Sequence, residues 1–449
     1  MFGWFKTKCP LATAEKVWVE SSMDWLAGTL GIERLIEAEL IEPSDEFFPD
    51  HYSGQDADAA RIFKQVCGLM QIDPAQVRLE LCDRIGDDKE DKIVGQYVSG
   101  DPATIVVRRS QLADPESLVA TLAHELAHEI LLGGGFLEEN NEDTERLTDL
   151  TTVFLGLGIF GANSFLREAT VREGRFSTWS IRKQGYLPIR MYGYGLALFA
   201  WARDESDPDW AAHLRADARE PFTKGLQFLL ETDDSVFRLV DPERHASDEQ
   251  RFDAAVANLA HRSPSRRMWG LTHLLESNSH AATAIEPIGK LLHDRDTDVR
   301  GTAAYVLGTI GPPAAEHVPR LQDLLTSRDS LSREGAAYAL GQIRPDDPIV
   351  IDDLARVLDD EDARVLAAAA SALSNYGPAA AAALPYLLKR YEKSLIRCDY
   401  ARIDALAAAL RAVAPDAIHR VRDHFASDAE LRQYAEDCLH ESTPSAEPE

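Results

Sequence analysis

The chain is poor in cysteine and contains no long apolar run. Its 449 residues include five cysteines, which are scattered and form no Cys-x-x-Cys pair. This pattern predicts neither a disulfide framework nor a cysteine-rich zinc site. No apolar run is long enough to cross a bilayer, and the first residues lack the apolar core of a signal peptide. We therefore expect a cytoplasmic protein without a membrane partner.

Basic residues are also scarce relative to acidic ones. The chain has 47 lysines and arginines against 75 aspartates and glutamates, a formal net charge of −28. Such a charge repels phosphates and anionic lipids, so it argues against nucleic acid or a membrane surface as partner. The charge keeps the protein soluble rather than marking a preference for basic substrates. The length predicts two or three domains, and the hydrophobic content of 45% is sufficient for packed cores.

The most informative local motif is the pentapeptide His-Glu-Leu-Ala-His that runs from His124 to His128. It lies in a predicted helix between the N-cap Asp114 and Leu132, which three glycines follow. The two histidines are one turn apart, so their imidazoles can bind one Zn²⁺ while Glu125 reaches a water on the metal. The alternative is an amphipathic helix with two polar histidines. The apolar neighbours argue against it, because unpaired imidazoles are costly to bury.

A third metal ligand is predicted on the next helix. Glu145 and Asp149 are four residues apart and share a helix face. Glu145 is the predicted ligand, and Asp149 would accept a hydrogen bond from a ring nitrogen of one ligand histidine. Sixteen residues separate His128 from Glu145. Glu142 and Asp143, on the same stretch of chain, remain rival ligands, because this interval is slightly shorter than in the metallopeptidases that the motif resembles.

These residues resemble the gluzincin metallopeptidases, the thermolysin-like enzymes with HExxH followed by ExxxD on the next helix. The resemblance covers roughly residues 93–160. Strands are predicted over 77–82, 93–98 and 104–109, the last two as a hairpin. This order resembles the compact zincin core, an α+β domain in which a small sheet packs on the His-Glu helix. The strand at 104–108 is expected to be the sheet edge that lies along the cleft.

The resemblance implies a zinc cofactor and a catalytic base at Glu125. Zincins also use a Tyr, His or Arg that donates a hydrogen bond to the oxyanion. Tyr192 and Tyr194 are candidates for that donor, although aromatic residues at helical spacing more often belong to a core.

Repeats occupy the last third of the chain. Helices led by Arg300, Arg333 and Arg364, 33 and 31 residues apart, contain paired small residues and a late leucine. Weaker copies begin at Arg267 and Arg402. Acidic turns precede the segments, and glycine or proline follows them. Helix-turn-helix units of this period form an all-α solenoid, and the pattern resembles HEAT repeats.

The sequence therefore predicts the following organisation: an N-terminal helical region with the first strand (1–92), a zincin-like catalytic domain (93–240), a linker (241–265), a HEAT-repeat solenoid (264–425) and a disordered tail (442–449). The predicted function is zinc-dependent hydrolysis of peptide bonds, with HEAT repeats that recognise a protein substrate or partner. One alternative is a non-catalytic scaffold with a degenerate zinc site, and another is a zinc ion that only holds the two helices together. The intact Glu125, which is not needed to hold the metal, argues against decay. The absence of a nearby cysteine argues against a structural zinc.

Overall fold

A computed structural model describes residues 7–44, 47–48, 52–85, 94–138, 143–164, 187–239, 247–276 and 281–441. The chain divides into two compact units, Met1–His245 and Ala246–Glu449. The division falls inside the predicted linker at 241–265. The predicted tail at 442–449 lies outside the described residues.

The first unit is mainly helical. Its described helices include α1 (Thr13–Leu30), α2 (Glu33–Ile36), α3 (Asp56–Leu69), α4 (Pro115–His128), α5 (Thr144–Phe154), α6 (Ile189–Ala202) and α7 (Ala216–Glu231). Helix α6 is buried along most of its length and contacts α1, α5 and α7. It is therefore the centre of the core, which explains why its sequence is apolar almost all round.

A three-stranded sheet packs on α4 in this unit. Its strands are β1 (Val77–Cys82), β2 (Gly95–Val98) and β3 (Ala103–Arg108), in the order β1-β3-β2. Strand β3 pairs in parallel with β1 and antiparallel with β2, so the predicted strands and hairpin are confirmed. The expectation that the strand at 104–108 forms the sheet edge is wrong. Strand β3 is central because β1 occupies its second side, and β2 is the outer strand beside α4.

Helix α4 begins and ends as its sequence predicts. The Asp114 side chain accepts a hydrogen bond from the Ser117 backbone N–H at 3.4 Å, and Pro115 occupies the first helical position. After His128 the chain continues through one π-helical turn, Glu129–Gly133. The buried face of α4 packs against α3, α5, β2 and β3. These contacts hold the motif between the sheet and the second helix.

The second unit consists of helices alone in its described part. They are α8 (Asp248–Asn258), α9 (Pro264–Glu276), α10 (Ile285–Lys290), α11 (Thr297–Ile310), α12 (Val318–Leu324), α13 (Ser330–Ile343), α14 (Pro348–Val357), α15 (Ala363–Tyr376), α16 (Leu384–Ile396), α17 (Tyr400–Val413), α18 (Ala417–His424) and α19 (Ala429–Glu441). Helices α9, α11, α13, α15 and α17 pack against one another in succession. This is the predicted helical repeat, and α8 extends it by packing on α9.

Small residues let neighbouring repeats approach closely. A Cβ atom on Gly308 would lie 2.7 Å from Cα of Ala339, and one on Gly341 would lie 2.5 Å from Cα of Ala372. A larger side chain at either glycine would force the helices apart. The Leu-Gly pattern that marks the repeats in the sequence is thus a packing requirement.

Three of the arginines that lead the repeats link one repeat to the next. Arg267 Nε lies 2.6 Å from Asp294 Oδ2, and Arg333 Nε lies 2.7 Å from Asp360 Oδ2. Arg300 pairs with Asp329 in the same way. Each aspartate belongs to the acidic turn before the following helix. The arginine and the acidic turn, which are separate signals in the sequence, therefore form one ion pair in the structure.

Candidate metal centre

The predicted ligands converge on one point between α4 and α5. His124, His128 and Glu145 each offer a ligand atom, and these atoms lie within 4.8 Å of one another. Nε2 of His124 is 3.1 Å from Oε2 of Glu145, and Nε2 of His128 is 3.5 Å from Oε1 of the same carboxylate. Two imidazoles and one carboxylate are a common ligand set for Zn²⁺. The structure thus brings together the three residues that the spacing suggested.

The orientation of His124 is fixed from behind by Asp149. Nδ1 of His124 lies 2.8 Å from Oδ1 of Asp149, which leaves Nε2 directed toward Glu145. The second oxygen of Asp149 accepts a hydrogen bond from the Leu187 backbone N–H at 2.9 Å. A carboxylate that holds a ligand imidazole in this way sets its tautomer and makes it a better metal donor.

The imidazole of His128 is positioned by two residues that the sequence did not single out. Its Nδ1 lies 3.4 Å from the Thr148 hydroxyl oxygen, which donates to the Thr144 carbonyl. Nδ1 is therefore the donor in this contact, and Nε2 remains available for a metal. The Tyr97 ring on β2 stacks over the His128 ring, with centroids 6.1 Å apart. Thr148 could have been found from its place between Glu145 and Asp149, but Tyr97 gives no local signal.

Strand β2 passes close to the carboxylate of Glu125. A Cβ atom on Gly95 would lie 2.6 Å from Oε1 of Glu125 and 2.5 Å from Cγ2 of Thr121. The Tyr97 backbone N–H donates to Glu125. Burial raises the pKa of Glu125 above its ordinary value, and the neighbouring histidines oppose that effect only in part. A buried carboxyl with a raised pKa is suited to accepting and releasing a proton.

The charges of the ligand groups depend on one another. Burial raises the pKa of Glu145, but its hydrogen bonds to His124 and His128 outweigh burial and hold that pKa well below the ordinary value. Burial lowers the pKa of His124, yet the hydrogen bonds to Asp149 and Glu145 outweigh it and raise that pKa well above normal. The site thus favours positive charge beside the Glu145 and Asp149 carboxylates. The donor set therefore fits a divalent cation that neutralises the same carboxylates.

The rival ligand Asp143 and the oxyanion candidate Tyr194 have other hydrogen-bond partners. Asp143 accepts hydrogen bonds from Trp18 Nε1 at 3.2 Å and from Arg146 at 3.1 Å, and Glu142 lies outside the described residues. The Tyr194 hydroxyl donates to Glu20 at 2.6 Å inside the core.

The other tyrosine also packs inside the unit. Tyr192 is 3% exposed, and its hydroxyl lies against Gly161. The Tyr194 hydroxyl is thus engaged by Glu20 in the core, whereas the role of Tyr192 as an oxyanion donor stays a prediction.

Comparisons with known proteins bear on the second unit. Residues 285–374 match the family model of HEAT repeats, so the helical unit carries HEAT repeats. No curated protein matches the chain. Among solved structures the chain is similar to engineered proteins. One is 24% identical, with a match that covers 42% of this chain and 95% of the engineered one at a TM-score of 0.34. A second is 22% identical (43% of this chain, 98% of the engineered one, TM-score 0.33), and a third is 16% identical (96% of this chain, 99% of the engineered one, TM-score 0.33). TM-scores of this size do not define a shared fold. In the described part of the chain, no helix is long and apolar enough to cross a membrane.

Proposed function

We propose that the first unit is a zinc-dependent peptidase and that the HEAT repeats bind its protein substrate or a partner protein. The convergence of His124, His128 and Glu145, with Glu125 beside them, carries the proposal. Both histidines keep Nδ1 for hydrogen bonds and turn Nε2 toward the same carboxylate. A pair of surface histidines would have no reason to be oriented so consistently.

Individual residues of the chain would have separate roles in hydrolysis. Zinc bound at such a site lowers the pKa of a water molecule to about 7 and polarises a carbonyl oxygen. Glu125 takes the proton of the water that attacks the peptide carbonyl and then delivers it to the leaving amine. Burial raises the pKa of Glu125 above its ordinary value, which suits the carboxyl to this proton exchange. Asp149 and Thr148 keep the two imidazoles in place throughout.

Access to the site also supports catalysis over a purely structural zinc. The Glu145 side chain is 42% exposed, whereas those of His124 and His128 are 14% and 9% exposed. Structural zinc sites are usually closed by four protein ligands, and catalytic sites keep one position open. Strand β2, one of the two outer strands of the described sheet, runs beside Glu125. An extended peptide added along β2 would place a peptide bond near that carboxylate.

A second candidate is a non-catalytic scaffold in which the first unit holds a degenerate or structural zinc site. The match to HEAT repeats favours this candidate, since the comparisons support the repeat unit. Stacked repeats offer a long surface for a protein partner. The scaffold requires partner binding but no hydrolysis.

The variant Glu125→Gln separates these candidates. The amide has the shape of the carboxylate but cannot accept a proton. Under the proposal, wild type and Glu125→Gln bind zinc equally, and only wild type cleaves casein or a peptide library. A proteome-wide comparison of cleavage products would then reveal the substrates. Zinc binding without hydrolysis by wild type would leave the scaffold or the structural zinc as the function.

A further inference from the structure

The HEAT-repeat unit contains a second cluster of possible metal ligands, unrelated to the HExxH site. Glu286, Glu316 and His317 offer ligand atoms that lie within 4.8 Å of one another. Glu286 belongs to α10, whereas Glu316 and His317 end the 3-10 turn Pro312–His317 that precedes α12. The cluster therefore joins two consecutive repeats.

The imidazole in this cluster has an unmet hydrogen-bonding requirement. Nε2 of His317 is buried and has no hydrogen-bond partner among the described residues. Oε1 of Glu316 lies 3.7 Å from it, which is too far for a hydrogen bond. A buried polar atom left without a partner destabilises the folded state. A cation between Nε2 and the two carboxylates would remove that cost.

A glycine makes the room that this imidazole occupies. A Cβ atom on Gly289 would lie 2.1 Å from Cε1 and 2.3 Å from Nε2 of His317. Gly289 lies inside α10, where glycine is less favourable than alanine. Any larger side chain at this position would collide with the imidazole of His317.

The two carboxylates of the cluster are exposed to solvent. Glu286 pairs with Lys290 at 3.4 Å, and both side chains are about 70% exposed, so this ion pair contributes little. One imidazole and two carboxylates, without sulfur, suit a divalent transition cation of the zinc class better than Mg²⁺ or Ca²⁺. Three protein ligands leave a position for water.

We propose that Glu286, Glu316 and His317 bind one zinc-class cation that links two neighbouring HEAT repeats. This site does not depend on the proposed peptidase activity. Its effect is on the stability of the repeat unit, because the cation ties α10 to the turn before α12. Binding is weaker than at the HExxH site, since two of the ligands are exposed.

Zinc titration of the metal-free, full-length protein tests the proposal. Wild type should bind two equivalents. His128→Ala should remove the tighter one, His317→Ala the weaker one, and the double variant both. In the His128→Ala background, zinc should raise the melting temperature of the repeat unit, and it should not do so once His317 is also replaced. If His128→Ala changes nothing while His317→Ala removes one equivalent, the peptidase site fails and this site stands.

Further variants guard against misfolding and non-specific binding. Glu286→Gln and Glu316→Gln change exposed side chains and should each weaken the second equivalent at least 10-fold without unfolding the protein. Gly289→Ala should displace the imidazole and have the same effect. His424→Ala is the matched control, because His424 pairs with Glu392 at 3.1 Å in the same unit without a third ligand. The proposal is overturned if wild type binds no second equivalent of zinc. It is also overturned if the second equivalent still binds after both Gln substitutions.

Discussion

Asp149 holds His124 from behind, with Oδ1 2.8 Å from the imidazole Nδ1. The contact turns the free nitrogen, Nε2, toward Glu145, 3.1 Å away. Asp149 also accepts the backbone N–H of Leu187, so one buried carboxylate connects the metal centre to the start of α6. The first prediction follows from this double role.

Replacing Asp149 with Asn should lower zinc affinity or activity by about 10- to 100-fold, the usual effect of losing the partner of a ligand histidine. The amide keeps one acceptor oxygen but loses the charge that stabilises the imidazole. Competition with a fluorescent zinc chelator measures the affinity, and peptide cleavage measures the activity. If neither changes, Asp149 serves only to anchor Leu187.

Replacing Glu145 with Ala should lower zinc affinity by orders of magnitude, because only the two imidazoles would remain as ligands. The matched control is Asp143→Asn, which lies on the same stretch of chain but contacts Trp18 and Arg146. The control should bind zinc as wild type does. Full zinc occupancy in Glu145→Ala would transfer the ligand role to Glu142 or Asp143.

Replacing Gly95 with Ala should reduce hydrolysis at least 10-fold while zinc is retained. The new methyl group would lie 2.6 Å from Oε1 of Glu125, so the carboxylate must move from its position. Gly68→Ala is the control, since a Cβ atom there meets nothing within 4 Å. Wild-type turnover in Gly95→Ala would mean that the position of Glu125 does not limit the reaction.

Replacing Asp329 with Ala should destabilise the repeat unit by about 1–2 kcal/mol at neutral pH, the usual cost of losing an N-cap. Its carboxylate accepts the Ser332 backbone N–H at 2.8 Å and pairs with Arg300. Asp352→Ala, which removes an exposed pair with Arg356, should cost less than about 0.5 kcal/mol. Urea unfolding followed on the transition of the repeat unit compares the two.

The effect of Asp329 should also depend on pH. Burial raises the pKa of its carboxyl, but hydrogen bonds from Ser327 and Ser332 and the pairing with Arg300 outweigh burial and hold it well below the ordinary value. The stabilisation is therefore complete above the unfolded pKa of about 3.9 and is lost as the pH falls toward the lower folded value. The difference between wild type and Asp329→Ala should shrink below pH 4. A constant difference down to pH 2 would contradict this assignment.

Much of the molecule follows from local sequence. Asp114 and Pro115 start α4 because their capping geometry is set within four residues. The one-turn spacing of His124 and His128 places both on one face in any helix. The repeats around Arg300 and Arg333 are readable for the same reason, since each unit carries its own turn and small residues. The roles of Glu145 and Asp149 could be predicted with one further assumption, namely that the next helix packs beside the His-Glu helix.

Only the tertiary structure determined the strand order and the contacts between residues that are distant in sequence. Strand β3 is central only because β1, more than twenty residues earlier, pairs with it, and no local pattern specifies that partner. The same arrangement brings Gly95 and Tyr97 to Glu125 and His128. Core packing, not helical spacing, decides that the Tyr194 hydroxyl contacts Glu20. The meeting of Gly289 with His317 likewise depends on how two repeats stack, because a residue's chemical type is local while its neighbours are set by the whole fold.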